Sequence, residues 1–440
     1  MPEPARARVR MYRVGFGDCF LVSFEYDEPL DDGRDARHIL IDFGSTRRPP
    51  GGGDLEDVAR LIEEHADGRL DVLVVSHRHR DHLSGFEVDD AARVIDGLRP
   101  GLVVRSWTED PTAPADAAGG HALGARSRRF LLGIRGGQAL ASSLVGSIAR
   151  GSRGLLGGLR GFALDQLSNR EAVERLDGWA ESGAGEYLRY GDASRIEEFV
   201  PGLRVRVLGP PTLEDWPEIS GQRAEDPEFW MLYRRVVDAG AFEELAAASS
   251  AVEREPEVAP DLVAARWLIE RMRRQQLGSL LRIVRVLDDV LNNTSLILLL
   301  RAGTKRMLFP GDAQIENWNY ALKEAADLEE THDELRAVDL YKVGHHGSRN
   351  ATPRTLFGLW TEEETRDRPM SALMSTLSGV HGETEATAVP RATLVTALTE
   401  RTSLVSTEDL EPDVPYVELE ADLSSDAPFH RVEPPAPGDG

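Results

Sequence analysis

The chain has 440 residues, 41% of them hydrophobic, which is enough to bury one large domain with insertions or two domains. Its 51 basic and 75 acidic residues give a net charge of -24, which argues against a protein that coats nucleic acid or anionic lipid. The single cysteine, Cys19, excludes an intrachain disulfide framework and a cysteine-based zinc site. No secretory signal or membrane-spanning apolar run is recognisable, so we expect a cytoplasmic protein with no stable membrane insertion.

The first part of the chain has the pattern of an α/β layer. Residues 9–26 and 38–43 are predicted strands, and the glycines of the segment 15–18 interrupt the first of them as a bulge or tight bend would. Asp54 is a good N-cap for a helix that continues to about His65. Residues 71–76 (DVLVVS) suit a buried strand. Histidines follow this strand at once, which predicts chemistry at its carboxyl end.

Residues 99–288 show poor periodicity, and we predict that they form a long insertion that acts as a lid or as a substrate- or partner-binding element. No acidic residue lies between Asp116 and Asp165, but seven arginines do: Arg126, Arg128, Arg129, Arg135, Arg150, Arg153 and Arg160. A second basic stretch at 266–285 is a predicted helix. Arginine forks match phosphate oxygens well, although a solvated linker is the alternative for the first stretch.

Regular α/β pattern resumes in the last third of the chain. Strands are predicted at 295–300 (SLILLL), 306–309 (RMLF), 338–343 (VDLYKV) and 371–376, with helices at 314–326 and 392–399. Residues 424–440 are rich in Pro, Asp and Gly and are predicted to be a disordered tail. The fold is therefore divided into a first half at 1–98, the insertion at 99–288 and a second half at 289–423.

The segment His77-Arg78-His79-Arg80-Asp81-His82 is the most informative in the chain. It holds three of the 11 histidines within six residues, a density that disfavours the alternative of surface histidines in a polar loop. Two histidines separated by one residue in an extended loop can direct both rings to one point, and the next turn can add a carboxylate and a third ring. These are ligand types that zinc accepts. The segment therefore predicts a metal site.

This segment resembles the His-x-His-x-Asp-His signature of the metallo-β-lactamase superfamily. Three further segments make the chain similar to the hydrolase domain of ComEC-type DNA-uptake proteins and their free-standing relatives: 14–18 (VGFGD) with 40–44 (LIDFG), 310–312 (PGD), and 342–348 (KVGHHGS). The resemblance covers the two halves and none of the insertion. It implies a metallo-β-lactamase αββα sandwich with a long insertion between the two halves.

The resemblance also implies roles for individual residues. His77 and His79 would bind one ion, Asp81 and His82 a second, and Asp312 would bridge the two. His345 is favoured as a further ligand and His346 as a helper that donates a proton to the leaving group. Ser348 could contact a substrate oxyanion, and His381 is a third candidate ligand, with an ordinary surface histidine as the alternative.

One departure from the family pattern bears on the first ion. Many members have another histidine ligand shortly before the SLILLL-type strand, where this chain has Leu291-Asn292-Asn293-Thr294. Asn293, His121 or water would then complete the site, and occupancy by one or two ions stays open. Zinc is the expected ion, with manganese and iron as alternatives.

The implied activity is that of a metal-dependent hydrolase that uses a metal-bound hydroxide, with Asp81 orienting it or accepting its proton. Likeness to the ComEC-type domain favours an anionic substrate with a phosphodiester, either nucleic acid or a small nucleotide, with Arg126, Arg128 and Arg129 as candidate contacts. A carbonyl hydrolase of the lactonase or β-lactamase type would share the metal core. A non-catalytic binding or regulatory protein with a degenerate site is the second alternative. A di-iron oxidoreductase is disfavoured, because His79 stands where a carboxylate would favour iron.

Overall fold

The computed structural model describes residues 2–112, 123–135, 169–222, 226–230, 290–361, 370–380 and 388–432. His121, His381 and the basic stretch at 266–285 lie outside these ranges. Within them the chain forms two mixed β-sheets and a set of surrounding helices. No helix in the described ranges has the length and apolar character needed to cross a membrane.

The strands of the two sheets, in chain order, are β1 (Arg6–Tyr12), β2 (Cys19–Glu25), β3 (Ala36–Phe43), β4 (Val72–Val75), β5 (Leu102–Ser106), β6 (Gly185–Leu188), β7 (Arg204–Gly209), β8 (Ile297–Ala302), β9 (Lys305–Phe309), β10 (Leu340–Lys342), β11 (Met370–Met374), β12 (Thr402–Ser406), β13 (Tyr416–Asp422) and β14 (His430–Val432). The helices named below are α1 (Leu55–His65), α2 (Arg80–Glu87), α3 (Asp89–Gly97), α4 (125–135), α5 (Arg170–Ser182), α6 (Ile196–Phe199), α7 (Ile315–Asn319), α8 (Leu328–Arg336), α9 (Arg354–Thr361) and α10 (Ala392–Arg401).

The first sheet has eight strands in the order β14-β13-β1-β2-β3-β4-β5-β6. Strands β1 to β3 form an antiparallel meander, and β3 to β6 run parallel to one another. Strand β13, from the last part of the chain, pairs antiparallel with β1, and β14 pairs with β13. All residues of β4 (VLVV) are buried, as expected for a parallel strand that is covered on both faces.

The second sheet has six strands in the order β12-β11-β10-β9-β8-β7. It repeats the plan of the first sheet, because β7 to β9 are antiparallel and β9 to β12 are parallel. In both sheets the parallel strands therefore end at an edge where the loops that follow them can meet.

The main core lies between the two sheets, which pack face to face. Phe20 of β2 and Phe309 of β9 meet there, with their ring centroids 5.9 Å apart. A second core holds α1, α3 and α5 against the outer face of the first sheet, and a third holds α7 to α10 against the second. The protein is thus an α/β sandwich with helices on both outer faces.

Helix α1 shows how local sequence sets an element. The Asp54 carboxylate accepts hydrogen bonds from the backbone N–H groups of Glu56 and Asp57, and the Asp57 carboxylate accepts one from the Asp54 N–H in return. This reciprocal cap satisfies N–H groups that the first turn leaves without partners. The predicted start at Asp54 and end near His65 are confirmed.

The insertion boundaries expected from the sequence differ from the sheet topology. Strands β5, β6 and β7 lie inside the range 99–288, yet they extend the first sheet and supply the edge of the second. They are short, and β6 has a mixed burial pattern, so they gave little periodic signal. Likewise, residues 424–432 were assigned to the tail, but they contain β14, which pairs with β13. Residues 433–440 lie outside the described part of the chain.

Candidate metal centre

The site lies where the carboxyl ends of strands from both sheets converge. His77 to His82 follow β4 of the first sheet, while Asp312 follows β9 and His346 follows β10 of the second sheet. Each half of the sandwich thus contributes part of the cluster. Parallel strand ends at one edge are a common position for binding sites in α/β proteins.

Four buried side chains form a group that could bind a metal ion: Asp81, His82, Asp312 and His346. One ligand atom from each lies within 4.8 Å of the others. His82 Nε2 is 3.1 Å from Asp312 Oδ2, and His346 Nε2 is 3.1 Å from Asp81 Oδ2 and 3.6 Å from Asp312 Oδ2. Two imidazole nitrogens and two carboxylates are a donor set that suits zinc or a similar divalent ion.

Both histidine rings are oriented by hydrogen bonds at their other nitrogen. His82 Nδ1 lies 2.8 Å from Asp42 Oδ2, and His346 Nδ1 lies 2.9 Å from the carbonyl oxygen of Ser375. Both partners are acceptors, so the proton of each neutral ring is assigned to Nδ1 and the Nε2 lone pair is directed into the group. Metal-binding histidines are typically held in this way.

The backbone adopts uncommon conformations at three residues around the site. Asp42, His345 and His346 have φ values of 56°, 43° and 52°, in the left-handed region. Each such residue costs on the order of 1 kcal/mol or more, and residues of this kind are concentrated at functional sites. The turn at His345 and His346 is what brings the second of these rings against Asp81 and against Phe16, whose ring centroid is 4.4 Å from that of His346.

Two glycines allow the first half of the site to close tightly. A Cβ atom on Gly44 would lie 2.5 Å from the carbonyl carbon of Asp81 and from the backbone nitrogen of His82. A Cβ atom on Gly17, where φ is +158°, would lie 2.2 Å from the carbonyl oxygen of Gly44. These positions explain the glycines of the segments VGFGD and LIDFG, because any side chain there would displace the backbone that carries two candidate ligands.

The buried charges of the group stabilise one another. Burial alone would raise the pKa of Asp312, but His82, His346 and other cations hold it well below its usual value. Conversely, burial would lower the pKa of His82, but the carboxylates of Asp312, Asp42 and Asp81 raise it well above its usual value. The pKa of His346 is raised for the same reason. The extra protons on the His82 and His346 rings therefore balance the carboxylates. A metal cation would displace these protons and balance the carboxylates in their place.

His77 and His79 lie beside the four-residue group. His77 Nε2 is 3.0 Å from His79 Nδ1, and the His77 ring centroid is 4.2 Å from that of His82. Burial lowers the pKa of His77 well below its usual value and that of His79 to about 4, so both rings are neutral and able to act as ligands. Asn292 lies beside the His79 ring and acts against burial by raising its pKa.

The structure places the two adjacent histidines differently relative to the four-residue group. Sequence analysis favoured His345 as the ligand and His346 as the helper, but it is His346 that belongs to the four-residue group. His345 Nε2 is 3.9 Å from Asp312 Oδ2, and its side chain keeps 24% of its surface exposed. Burial lowers the pKa of His345 to about 4, so the ring is neutral near pH 7.

Two other candidate residues, Ser348 and Asn293, form hydrogen bonds within the protein. Ser348 Oγ donates a hydrogen bond to Asn350 Oδ1. The Asn293 amide donates to the carbonyl oxygen of Gly221 and to Glu316 Oε2. Neither side chain is therefore directed at the four-residue group in this conformation.

The three arginines proposed as phosphate contacts lie on α4. Arg126 and Arg129 are exposed and Arg128 is half-buried. The opposite face of α4 packs against Trp107, in a hydrophobic cluster that also includes Leu291, the residue before Asn292. This packing connects α4 to the loop that reaches His79, while the arginines themselves lie at the surface.

Sequence reasoning gave no role to Asp18, Asp42, Ser76 or Lys342, all of which are buried around the site. Ser76 donates from its backbone N–H and its hydroxyl to the Asp42 carboxylate, at 2.7 Å each. Lys342 forms an ion pair with Asp18 and lies 3.5 Å from Asp312 Oδ1. A signal was present, since Asp42 and Lys342 each follow a run of buried strand residues, where a charge is expected only if it is paired.

Comparisons of the chain with protein-family models and with curated proteins gave no match.

Proposed function

We propose that the protein is a metal-dependent hydrolase of the metallo-β-lactamase fold, and that it cleaves phosphodiesters. The observation that carries this proposal is the buried group of Asp81, His82, Asp312 and His346, assembled from both halves of an α/β sandwich. The order of the motif segments along the chain, the helix-covered paired sheets and the position of the group at strand ends are the features that metallo-β-lactamase-like enzymes would share.

The residues present fit a divalent cation. The group combines two neutralisable imidazoles with two carboxylates, and both rings have their second nitrogen committed to an acceptor. We assign the ion to these four residues, with His77 and His79 adjacent. When bound, such an ion lowers the pKa of water to roughly 7 and polarises the substrate oxygen.

The chain's own residues then position the ion and the substrate. Asp81 and Asp312 place negative charge around the reacting centre, and Asp42 fixes the orientation of His82. His345 is the neutral, partly exposed group beside them, so its ring can donate a hydrogen bond to the oxygen of a leaving group. We therefore assign to His345 a hydrogen-bonding role at the leaving group, in place of the proton donation that sequence analysis gave to His346.

The choice of a phosphodiester rests on the resemblance to ComEC-type domains and on the arginines of α4. Since α4 shares a hydrophobic cluster with Leu291, its exposed guanidinium groups lie on an element connected to the site. Neutralising Arg126, Arg128 and Arg129 together should raise the KM for an anionic substrate and leave kcat nearly unchanged. An unchanged KM would remove this part of the proposal.

The test is metal content per chain by elemental mass spectrometry, on protein purified without added metal, together with hydrolysis of bis-p-nitrophenyl phosphate. Bound metal with turnover that a chelator abolishes would support the proposal. Asp312→Ala and His79→Ala should lower turnover strongly. Asp71→Asn should not, because this buried aspartate lies at the amino end of β4, opposite the end that carries the site. Full activity in the first two variants would refute the assignment.

The remaining outcomes separate the alternative functions. Bound metal without phosphodiester turnover would move the proposal to a carbonyl hydrolase, to be tested on lactones and β-lactams. Absence of both metal and turnover would favour a binding or regulatory protein.

A further inference from the structure

The ring of His82 stands between two groups of acidic side chains. Its Nε2 faces Asp81 and Asp312, and its Nδ1 faces Asp42 and Asp18 at 2.8 and 3.8 Å. By distance alone the second group, Asp18, Asp42 and His82, could also hold a metal ion. All of these residues are buried, so each group needs a cation to balance its carboxylates.

Lys342 already supplies a cation to the second group. Its ammonium forms an ion pair with Asp18, donates to the carbonyl oxygen of Gly311 at 2.9 Å and lies 3.5 Å from Asp312 Oδ1. The side chain is 2% exposed, so the ammonium has these protein oxygens as partners in place of bulk water. An ammonium among buried carboxylates compensates their charge as a metal ion would.

The two carboxylate oxygens of Asp312 face different partners. Oδ1 faces Lys342, whereas Oδ2 faces His82 at 3.1 Å, His346 at 3.6 Å and His345 at 3.9 Å. One oxygen therefore contacts the lysine, and Oδ2 is the oxygen that faces the four-residue group.

We infer that Lys342 is a built-in cation that takes the place of a metal ion in the second group, so that Asp18, Asp42 and the Nδ1 side of His82 bind no ion. This inference rests on the proposed metal site, Asp81, His82, Asp312 and His346, and adds that the neighbouring carboxylates are already neutralised. Lys342 is a positioning residue in this account, since it acts through Asp18 and Asp312.

The experiment compares Lys342→Met with Lys305→Met. Lys305 is a matched control, because it is also fully buried and lies on β9, but it donates to the carbonyl oxygen of Ser425 instead of to the site. Purified wild-type protein and both variants are stripped of metal, titrated with Zn²⁺ and analysed for bound zinc and for the rise in Tm. We expect the same number of zinc ions per chain in wild type and in Lys305→Met.

Lys342→Met should bind one more zinc ion per chain than wild type and show a larger rise in Tm with zinc, because Asp18 and Asp312 Oδ1 then lack their protein cation. The double variant Asp18→Asn/Lys342→Met removes both charges of the pair and should return to the wild-type number. The same stoichiometry and Tm shift in Lys342→Met as in Lys305→Met would overturn the inference.

The double variant also keeps the test valid if Lys342→Met does not fold. Asp18→Asn should then restore folding to Lys342→Met and should not improve Lys305→Met, a result that needs no metal. A double variant no more stable than Lys342→Met would overturn the pairing. Failure of the proposed function is distinguishable, since it would appear as no bound zinc in any form of the protein.

Discussion

Replacing Asp42 by Asn should weaken metal binding although Asp42 is not itself a ligand of the four-residue group. Asp42 Oδ1 accepts the backbone N–H of Ser76 at 2.7 Å, and Oδ2 accepts from the Ser76 hydroxyl at 2.7 Å and from His82 Nδ1 at 2.8 Å. Asparagine tolerates the left-handed φ of 56° at this position, so the backbone can be kept.

The loss of metal affinity depends on the positions that the amide oxygen and the amide nitrogen of the asparagine must take. The backbone N–H of Ser76 is a fixed donor, so the amide oxygen of Asn has to occupy the Oδ1 position. The amide NH₂ then takes the Oδ2 position and donates to His82 Nδ1. This moves the ring proton to Nε2, the atom that should bind the ion.

Loss of such an orienting carboxylate typically costs 10- to 100-fold in metal affinity, or about 1.4 to 2.7 kcal/mol. The assay is competition for Zn²⁺ against a chromophoric chelator at pH 7.5. Asp71→Asn is the matched control: Asp71 is also buried, accepts the backbone N–H of His38 and pairs with Arg34, so the variant should lose stability and keep its zinc affinity. Zinc affinity of the Asp42→Asn variant within threefold of wild type, with the fold intact, would refute the tautomer argument.

Three further predictions follow from the site and its surroundings. Gly44→Ala should lower zinc affinity in the same competition assay, because its Cβ would press on the first turn of α2, whereas Gly178→Ala, with open space around its Cβ, should leave zinc affinity unchanged and stabilise α5 by up to about 1 kcal/mol. His346→Ala should lower zinc affinity by about tenfold or more, while His345→Ala should keep its zinc affinity and lose turnover. The opposite result would favour His345 as the ligand. Burial lowers the pKa of His38 to about 3, so the unfolded chain takes up a proton below pH 6.5 that the folded chain does not, and stability falls as pH declines; His38→Gln should remove about 2 kcal/mol of the loss between pH 7 and 5 in denaturant titrations.

The parts of the fold that the sequence predicted are those with strong local signals. The cap at Asp54, the all-apolar run of β4 and the charged segment from His77 to His82 each specify local structure or chemistry with few tertiary contacts. The edge strands β6 and β7 were missed because their positions depend on pairing with strands far away in the chain. A short strand of mixed burial has no period that distinguishes it from a loop.

The site was predicted in part for the same reason. Its first half lies on one continuous segment, whereas the choice between His345 and His346 depends on a strained turn, and left-handed φ values at two non-glycine residues leave no mark in a single sequence. The sequence likewise cannot show that Asn292 lies beside His79 while Asn293 bonds to Gly221. The packing of the loop decides the direction of both side chains.

The division of the ligands between two sheets links metal binding to the packing of the sandwich. Asp81 and His82 begin α2 on the first sheet, while Asp312 and His346 follow strands of the second, so an ion bound by all four connects the halves across their shared core. The ion can bind in this way only when the two sheets are packed together, and it must therefore stabilise the packed state by mass action. The buried ion pair of Lys342 with Asp18 joins the same two halves, because Asp18 precedes β2 and Lys342 ends β10. Lys342 thus holds the sandwich at this edge as a permanent cation, and the proposed metal ion would add an exchangeable one, so that buried carboxylates can converge there without unfolding the edge.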